Sequence, residues 1–177
     1  MDKKIVFLRL KLIIIILLVT AANFGADRLT KNYAVEHLKG QPTVRVAGNF
    51  FVMHYAENTG AFLGLGGNLP QTLKTVILIL VPLLVVAGTL IYLFLSSGLP
   101  RSQLICLASI IGGGLGNLYD RIFNAGVVID FLNFGIGSIR TGILNVADLS
   151  VTFGALVFII LQFLQQRESA AGDELSE

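Results

Sequence analysis

Val76-Ile77-Leu78-Ile79-Leu80-Val81-Pro82-Leu83-Leu84-Val85-Val86-Ala87-Gly88-Thr89-Leu90-Ile91-Tyr92-Leu93-Phe94-Leu95 contains no charged side chain. A helix needs about 20 mostly apolar residues to cross the hydrocarbon of a bilayer, so this run is read as a transmembrane helix, starting near Gln71. Three further stretches are mostly apolar over a similar length, though each carries charged residues: about Ile5–Gly25, Gln103–Ile122 and Ile143–Phe163. Only 14% of the 177 residues are charged and 54% are hydrophobic, which excludes an ordinary soluble domain. The fold class is therefore an α-helical integral membrane protein, residues 1–177 as one membrane domain with four transmembrane helices.

The connections differ in kind. Residues Ala26 to Leu69 form the only sizeable insert, and within it Thr43-Val44-Arg45-Val46 and Phe50-Phe51-Val52-Met53-His54-Tyr55 flank Ala47-Gly48-Asn49. Glycine and asparagine tolerate positive φ, so a hairpin, the start of a small β-sheet, is expected there. Asn58 to Asn68 is too glycine-rich for a helix and reads as a loop on the membrane surface. Ser96 to Arg101 is a short turn that makes spans two and three antiparallel neighbours. The apolar loop Phe123 to Gly142 is expected to lie in the membrane interface. After Gln165 the polar tail, about 166–177, reads as disordered.

Lys3, Lys4, Arg9 and Lys11 precede the first span, so the N-terminus is expected to be cytoplasmic, and four spans return the C-terminus to the same side. The same cluster, followed by small residues Thr20, Ala21 and Ala22, would also suit a cleavable secretory signal. Against that, the apolar stretch continues to Phe24. Cys106 is the lone cysteine, which argues against disulfides, thiol chemistry and cysteine-based zinc sites.

Three carboxylates stand where a membrane chain should hide them: Asp120, Asp130 and Asp148. A charged residue at the bilayer centre costs roughly 2.5 to 3.5 kcal/mol on insertion scales, so such groups face a bundle interior or a wet cleft. On a helix Asn117, Asp120 and Arg121 share one face, as do Asn145 and Asp148. Gly112 and Gly116 form a small-xxx-small pair that lets helix backbones approach closely. Two carboxyls held close in a poorly hydrated site share a proton, and can activate water while protonating a leaving group. Neither histidine, His37 or His54, belongs to a nucleophilic set; carboxylates alone could hold a metal, but their spacing matches no recognised ligand pattern.

Plainer readings exist for each group. Asn145 and Asp148 suit an N-cap and a first-turn acid. Asp120 beside Arg121 reads as a structural ion pair. Asp130 would be a water-facing carboxylate on an interfacial loop, and Asp27, Thr30 and Lys31 an interfacial anchor.

Taken together, Asp27-Arg28-Leu29-Thr30-Lys31, Asn58-Thr59-Gly60-Ala61-Phe62, Gly116-Asn117-Leu118-Tyr119-Asp120-Arg121, Val128-Ile129-Asp130-Phe131 and Asn145-Val146-Ala147-Asp148 resemble, in order, the motifs of the lipoprotein signal peptidase (signal peptidase II) family of bacterial membrane aspartyl endopeptidases. The resemblance implies a catalytic dyad of Asp130 and Asp148, supported by Asn117, Asp120, Arg121 and Asn145. It implies substrate contact by Asn58 and a polar pair of Asp27 and Lys31 near the end of the first helix. It also implies a small extracytoplasmic sheet at Thr43–Tyr55 and a surface helix at Phe131–Ile139. Arg28 departs from the family's usual Gln. The implied activity is removal of signal peptides from diacylglyceryl-modified prolipoproteins on the N-terminal side of the lipidated cysteine. The implied setting is the bacterial cytoplasmic membrane, with the site on its extracytoplasmic side. No cofactor, metal or nucleic acid is called for, the other partner being the phospholipid bilayer, and a monomer is expected. Two other classes fit the residues alone: a small proton-coupled transporter, which predicts acids near the midplane and an internal repeat, and a non-catalytic scaffold.

Overall fold

The computed structural model describes residues 3–60, 70–96 and 98–174. Along the chain lie α1 (Lys3–His37), β1 (Val44–Ala47), β2 (Phe51–Asn58), α2 (Gln71–Thr75), a π-helical turn (Val76–Leu80), α3 (Val81–Leu95), α4 (Arg101–Phe123), β3 (Val128–Ile136), β4 (Ile139–Arg140) and α5 (Val146–Glu174). Residues 61–69 of the expected surface loop lie outside the described residues.

Three helical stretches are long and apolar enough to cross a membrane: Leu10–His37, Thr72–Leu95 and Val146–Glu168. Of the expected four spans, α4 is missing from that set because glycines and Asn117, Asp120 and Arg121 dilute its hydrophobicity. It is the central helix instead. Gln103, Leu104, Leu107, Ala108, Ile111 and Gly112 are among its buried residues, while α1, α3 and α5 present Leu17, Leu18, Leu84, Phe94, Ile160 and Phe163 outward.

Glycines set how closely these helices approach. A Cβ on Gly112 would sit 2.7 Å from the Thr20 carbonyl oxygen, and one on Gly113 2.5 Å from that of Ala147. Gly116 faces α1 in the same way, 2.6 Å from Asp27 Oδ2. The backbone of α4 therefore touches α1 on one side and α5 on the other, contacts that only hydrogen at Cα permits.

Several boundaries depart from expectation for local reasons. Helix α1 does not end near Gly25. With 35 residues it is about 52 Å long, far more than the hydrocarbon thickness of about 30 Å. Its final turns are held by the Lys31–Asp27 pair at i, i+4 (2.9 Å) and by the Thr30 hydroxyl donating to the Ala26 carbonyl (2.7 Å). In the second span, Pro82 lacks an N–H and its ring crowds the carbonyl of Leu78; the helix widens into the π turn just before it. The tail expected to be disordered from 166 is helical to Glu174, since Gln165, Gln166, Arg167, Glu168 and Ala170 are good helix formers.

The interfacial segment is extended, not helical, which corrects the expected surface helix at Phe131–Ile139. Strands run antiparallel in the order β1-β2-β3-β4, with Val44 opposite Met53 and Met53 opposite Leu132. The hairpin expected at Ala47-Gly48-Asn49 is present, with Gly48 at φ 55°. Gly135 permits the tight β3–β4 return, because a Cβ there would collide with the Ile139 carbonyl. Phe131, Leu132 and Leu144 are buried with Ala34 and Leu38, so the extension of α1 is the platform on which the sheet rests.

Candidate active site

Asp130 reaches the helical bundle through backbone pairing. The Phe131 and Leu132 N–H groups donate to the Leu144 carbonyl (2.8 and 2.7 Å), and the Leu144 N–H returns to the Leu132 carbonyl (2.7 Å). This bridge clamps the residue preceding Asn145 onto β3, and so sets the start of α5 beside Asp130.

Asn145 is the hub. Its Nδ2 donates to Asp130 Oδ1 (2.6 Å) and to Asn117 Oδ1 (3.0 Å). Its own N–H donates to Asp148 Oδ2 (3.1 Å), and the Asp148 N–H donates back to Asn145 Oδ1 (2.8 Å). The reciprocal pair is a capping box, so the plain N-cap reading of these two residues holds. The same geometry also ties both carboxyls to a single residue. Asn117 Nδ2 donates to Asp148 Oδ1 (2.9 Å), and Asn58, at the end of β2, donates to Asp130 Oδ2 (2.8 Å).

Asp130 and Asp148 open into one cavity of about 400 Å³, also lined by Asn58, Asn117, Arg121 and apolar residues of the π turn and α3 such as Leu78, Val81 and Val85. Asp130 is 2% exposed, which removes the plain reading of a carboxylate facing water. Burial lifts its pKa from the ordinary 3.8 to about 6, and the Asp148 charge adds to that rise against the hydrogen bonds from Asn58 and Asn145 and the charge of Lys31.

Beneath the carboxyls lies a buried charge cluster. Lys31, wholly buried, donates a hydrogen bond from Nζ to Asn117 Oδ1 (2.9 Å) and lies at ion-pair distance from Asp27 Oδ2 (2.9 Å) and Asp120 Oδ2 (2.8 Å). Asp27 Oδ1 accepts the Ala147 N–H (3.0 Å), so α1 holds the first turn of α5. Asp120 makes an ion pair, but not with Arg121: its partners are Lys31 and Arg28, whose Nη1 lies 2.7 Å from Asp120 Oδ1. Neighbouring residues on a helix point in different directions, so the Asp120–Arg121 pairing expected from adjacency is corrected. Arg121 instead donates to the carbonyls of Asn58 (2.8 Å), Gly60 and Gly126, and so fastens the end of β2 and the turn into β3. All nine residues singled out in the sequence thus fall in one connected network.

Arg28 is the member missed. It read only as a departure from a motif, although a second basic residue between Asp27 and Lys31 was the available signal. The Arg28 guanidinium also lies over the Tyr119 ring at 4.8 Å.

A model of the signal peptidase (SPase) II family matches residues 14–164, a span that contains every residue of this network. The chain belongs to the signal peptidase II family. It is 36% identical to the lipoprotein signal peptidase of Clostridium acetobutylicum, over 82% of this chain and 94% of that protein. It is 34% identical to that of Treponema denticola, over 85% and 91%. In fold it is similar to a bacterial membrane enzyme solved by the in meso method, with TM-score 0.76 and 21% identity over 85% of this chain and 88% of that one. Family membership and the apolar helices make it a bacterial membrane peptidase.

Proposed function

We propose that the chain is an aspartic endopeptidase that removes signal peptides from lipid-modified prolipoproteins, cutting on the N-terminal side of the lipidated cysteine, with Asp130 and Asp148 as its catalytic dyad. The observation that carries this reading is Asn145, whose side chain and backbone N–H hold one oxygen of each carboxyl at the wall of a shared cavity.

Asp130, with its pKa raised to about 6, carries the shared proton, and Asp148 takes a proton from water as its oxygen attacks the scissile carbonyl. The Asp130 proton passes to the carbonyl oxygen, giving a neutral gem-diol. On collapse Asp148 delivers its proton to the departing nitrogen, the C–N bond breaks and a diol hydroxyl returns its proton to Asp130. Atoms and charge balance. Asn58, Asn117 and Asn145 position the two carboxyls, and the cluster of Asp27, Arg28, Lys31 and Asp120 is formally neutral, so it supports the dyad without adding a net charge.

The same reading sets α4 as a fourth span, shielded by the other three, with both termini cytoplasmic and the sheet and dyad on the extracytoplasmic side. Support comes from Lys3, Lys4, Arg9 and Lys11 at the start of α1. Family membership favours this peptidase reading over a proton-coupled transporter. The test is complementation in cells lacking prolipoprotein processing: the unaltered gene restores mature lipoprotein, and Asp130→Asn or Asp148→Asn does not. Restoration by either variant would refute the dyad.

A further inference from the structure

At the end of the bundle opposite the dyad, Gln103 of α4 is 2% exposed. Its Nε2 donates to Gln165 Oε1 (2.9 Å), while its Oε1 finds no hydrogen-bond partner among the described residues. A buried amide oxygen left unpaired carries a real desolvation cost, so it needs an explanation. Gln103 lines a cavity of about 440 Å³ together with Gln162, Gln165 and Gln166 of α5.

This cavity is the far end of a seam. Helices α3 and α5 both pack on α4, and between them a second hollow shares Val85 with the dyad cavity and Tyr92 with the glutamine cavity. Across this line the Tyr92 and Phe158 rings meet edge to face at 6.4 Å, so a helix seated along the seam displaces them. At 1.5 Å per residue, α5 rises about 21 Å from Asp148 to Gln162 and about 25 Å to Gln165. The apolar core of a signal peptide, up to about 15 residues, makes a helix of about 22 Å.

Resting on the peptidase reading above, we infer that the glutamine cavity caps the N-terminal end of the substrate's signal helix. The direction follows from the chemistry. The scissile bond lies at the C-terminal end of the signal segment and must meet Asp130 and Asp148, so the start of the segment lies at the other end of the seam. The first four N–H groups of any helix lack intrahelical partners, and those that come to lie against buried Gln103 need acceptors from the protein. Neutral glutamine carbonyls provide acceptors with no charge of their own. They therefore recognise the helix start itself and not the basic residues that precede it.

The experiment measures KM and kcat of the full-length chain in lipid nanodiscs with two lipid-modified precursors. One has an ordinary signal, and the other carries proline at the first two positions of its apolar helix, which removes N–H donors while leaving helix length unchanged. For the unaltered chain, proline raises KM roughly fivefold to tenfold with kcat unchanged. Gln103→Leu raises KM by a similar factor for the ordinary precursor, and proline then adds nothing. Gln162→Leu, at a less buried position, gives the same pattern and guards against misfolding of the first variant. A proline penalty that persists undiminished in both variants overturns the inference, as does an unchanged KM in both; an equal rise for both precursors would instead mark the cavity as a lipid or packing site. If the unaltered chain cleaves neither precursor, the peptidase reading itself fails.

Discussion

Replacing Asp130 by asparagine should leave the protein without activity and yet no less stable at neutral pH. In the folded chain burial holds this carboxyl at about 6, against an ordinary value of 3.8. Between those two values the folded state binds more protons at this site than the unfolded state, so stability falls as pH rises through the window and is level on either side. A shift of that size corresponds to about 3 kcal/mol of destabilisation at pH 7. Asparagine cannot ionise, and so escapes that cost. It has one oxygen for the two amide donors Asn58 and Asn145, and leaving one of them unpaired costs about 1–3 kcal/mol. Asp130→Asn is therefore expected to lie between equal stability and about 2 kcal/mol more stable at pH 7. Its standing relative to the parent should worsen by about 3 kcal/mol as pH falls to about 3.5. Denaturant or thermal unfolding of both proteins in parallel across that range gives the difference for the dyad, because titrating groups remote from it cancel, while Asp148, whose charge Asp130 feels, titrates as part of the same pair. A difference that does not change with pH, or one that moves in the variant's favour as pH falls, would refute the argument that burial protonates this carboxyl.

Gly113→Ala places a methyl group against the Ala147 carbonyl and the Ser150 and Val151 side chains and should destabilise by about 1–3 kcal/mol. Gly25→Ala, with nothing within 4 Å of the new Cβ, should stabilise by about 0.5–1 kcal/mol; thermal melts of the pair compare packing with propensity. Lys31→Met leaves Arg28 as the one remaining cation for two buried acids, Asp120 at 2.7 Å and Asp27 at 3.7 Å, and should cost about 3–5 kcal/mol, much of it recovered when Asp27→Asn is added. For orientation, Asn49→Cys in the exposed hairpin turn, on a Cys106→Ala background, should react with a membrane-impermeant maleimide in intact cells; labelling only after lysis would invert the proposed topology.

The helical architecture was legible because apolar runs of bilayer length leave little choice. The network residues were legible too, since polar side chains inside those runs must find partners. What the sequence did not supply was the set of pairings. Asp120 and Arg121 are adjacent, yet they diverge around the helix, and each bonds to a segment far away in the chain. The register that brings Asp130 to Asn145 depends on the Leu132–Leu144 bridge, a contact between two apolar residues that nothing in their local pattern announces. The β3 strand was obscured by Gly135, by the flanking Gly126 and Gly137, and by its nearly continuous apolar run, which suit an interfacial segment as well as a half-buried strand. The continuation of α1 beyond the membrane was hidden by Gly25, a helix-weakening residue overruled by the Asp27–Lys31 pair just after it.

The most direct test is to incubate purified protein in nanodiscs with a diacylglyceryl-modified precursor and map the cleavage site by mass spectrometry, for the unaltered chain and for the folded variants Asp130→Asn and Asp148→Asn. The expected result is a single cut before the lipidated cysteine, and a loss of at least about 100-fold in rate for each variant. Cleavage by either variant at close to the unaltered rate would contradict a mechanism in which both carboxyls exchange protons with the reacting groups.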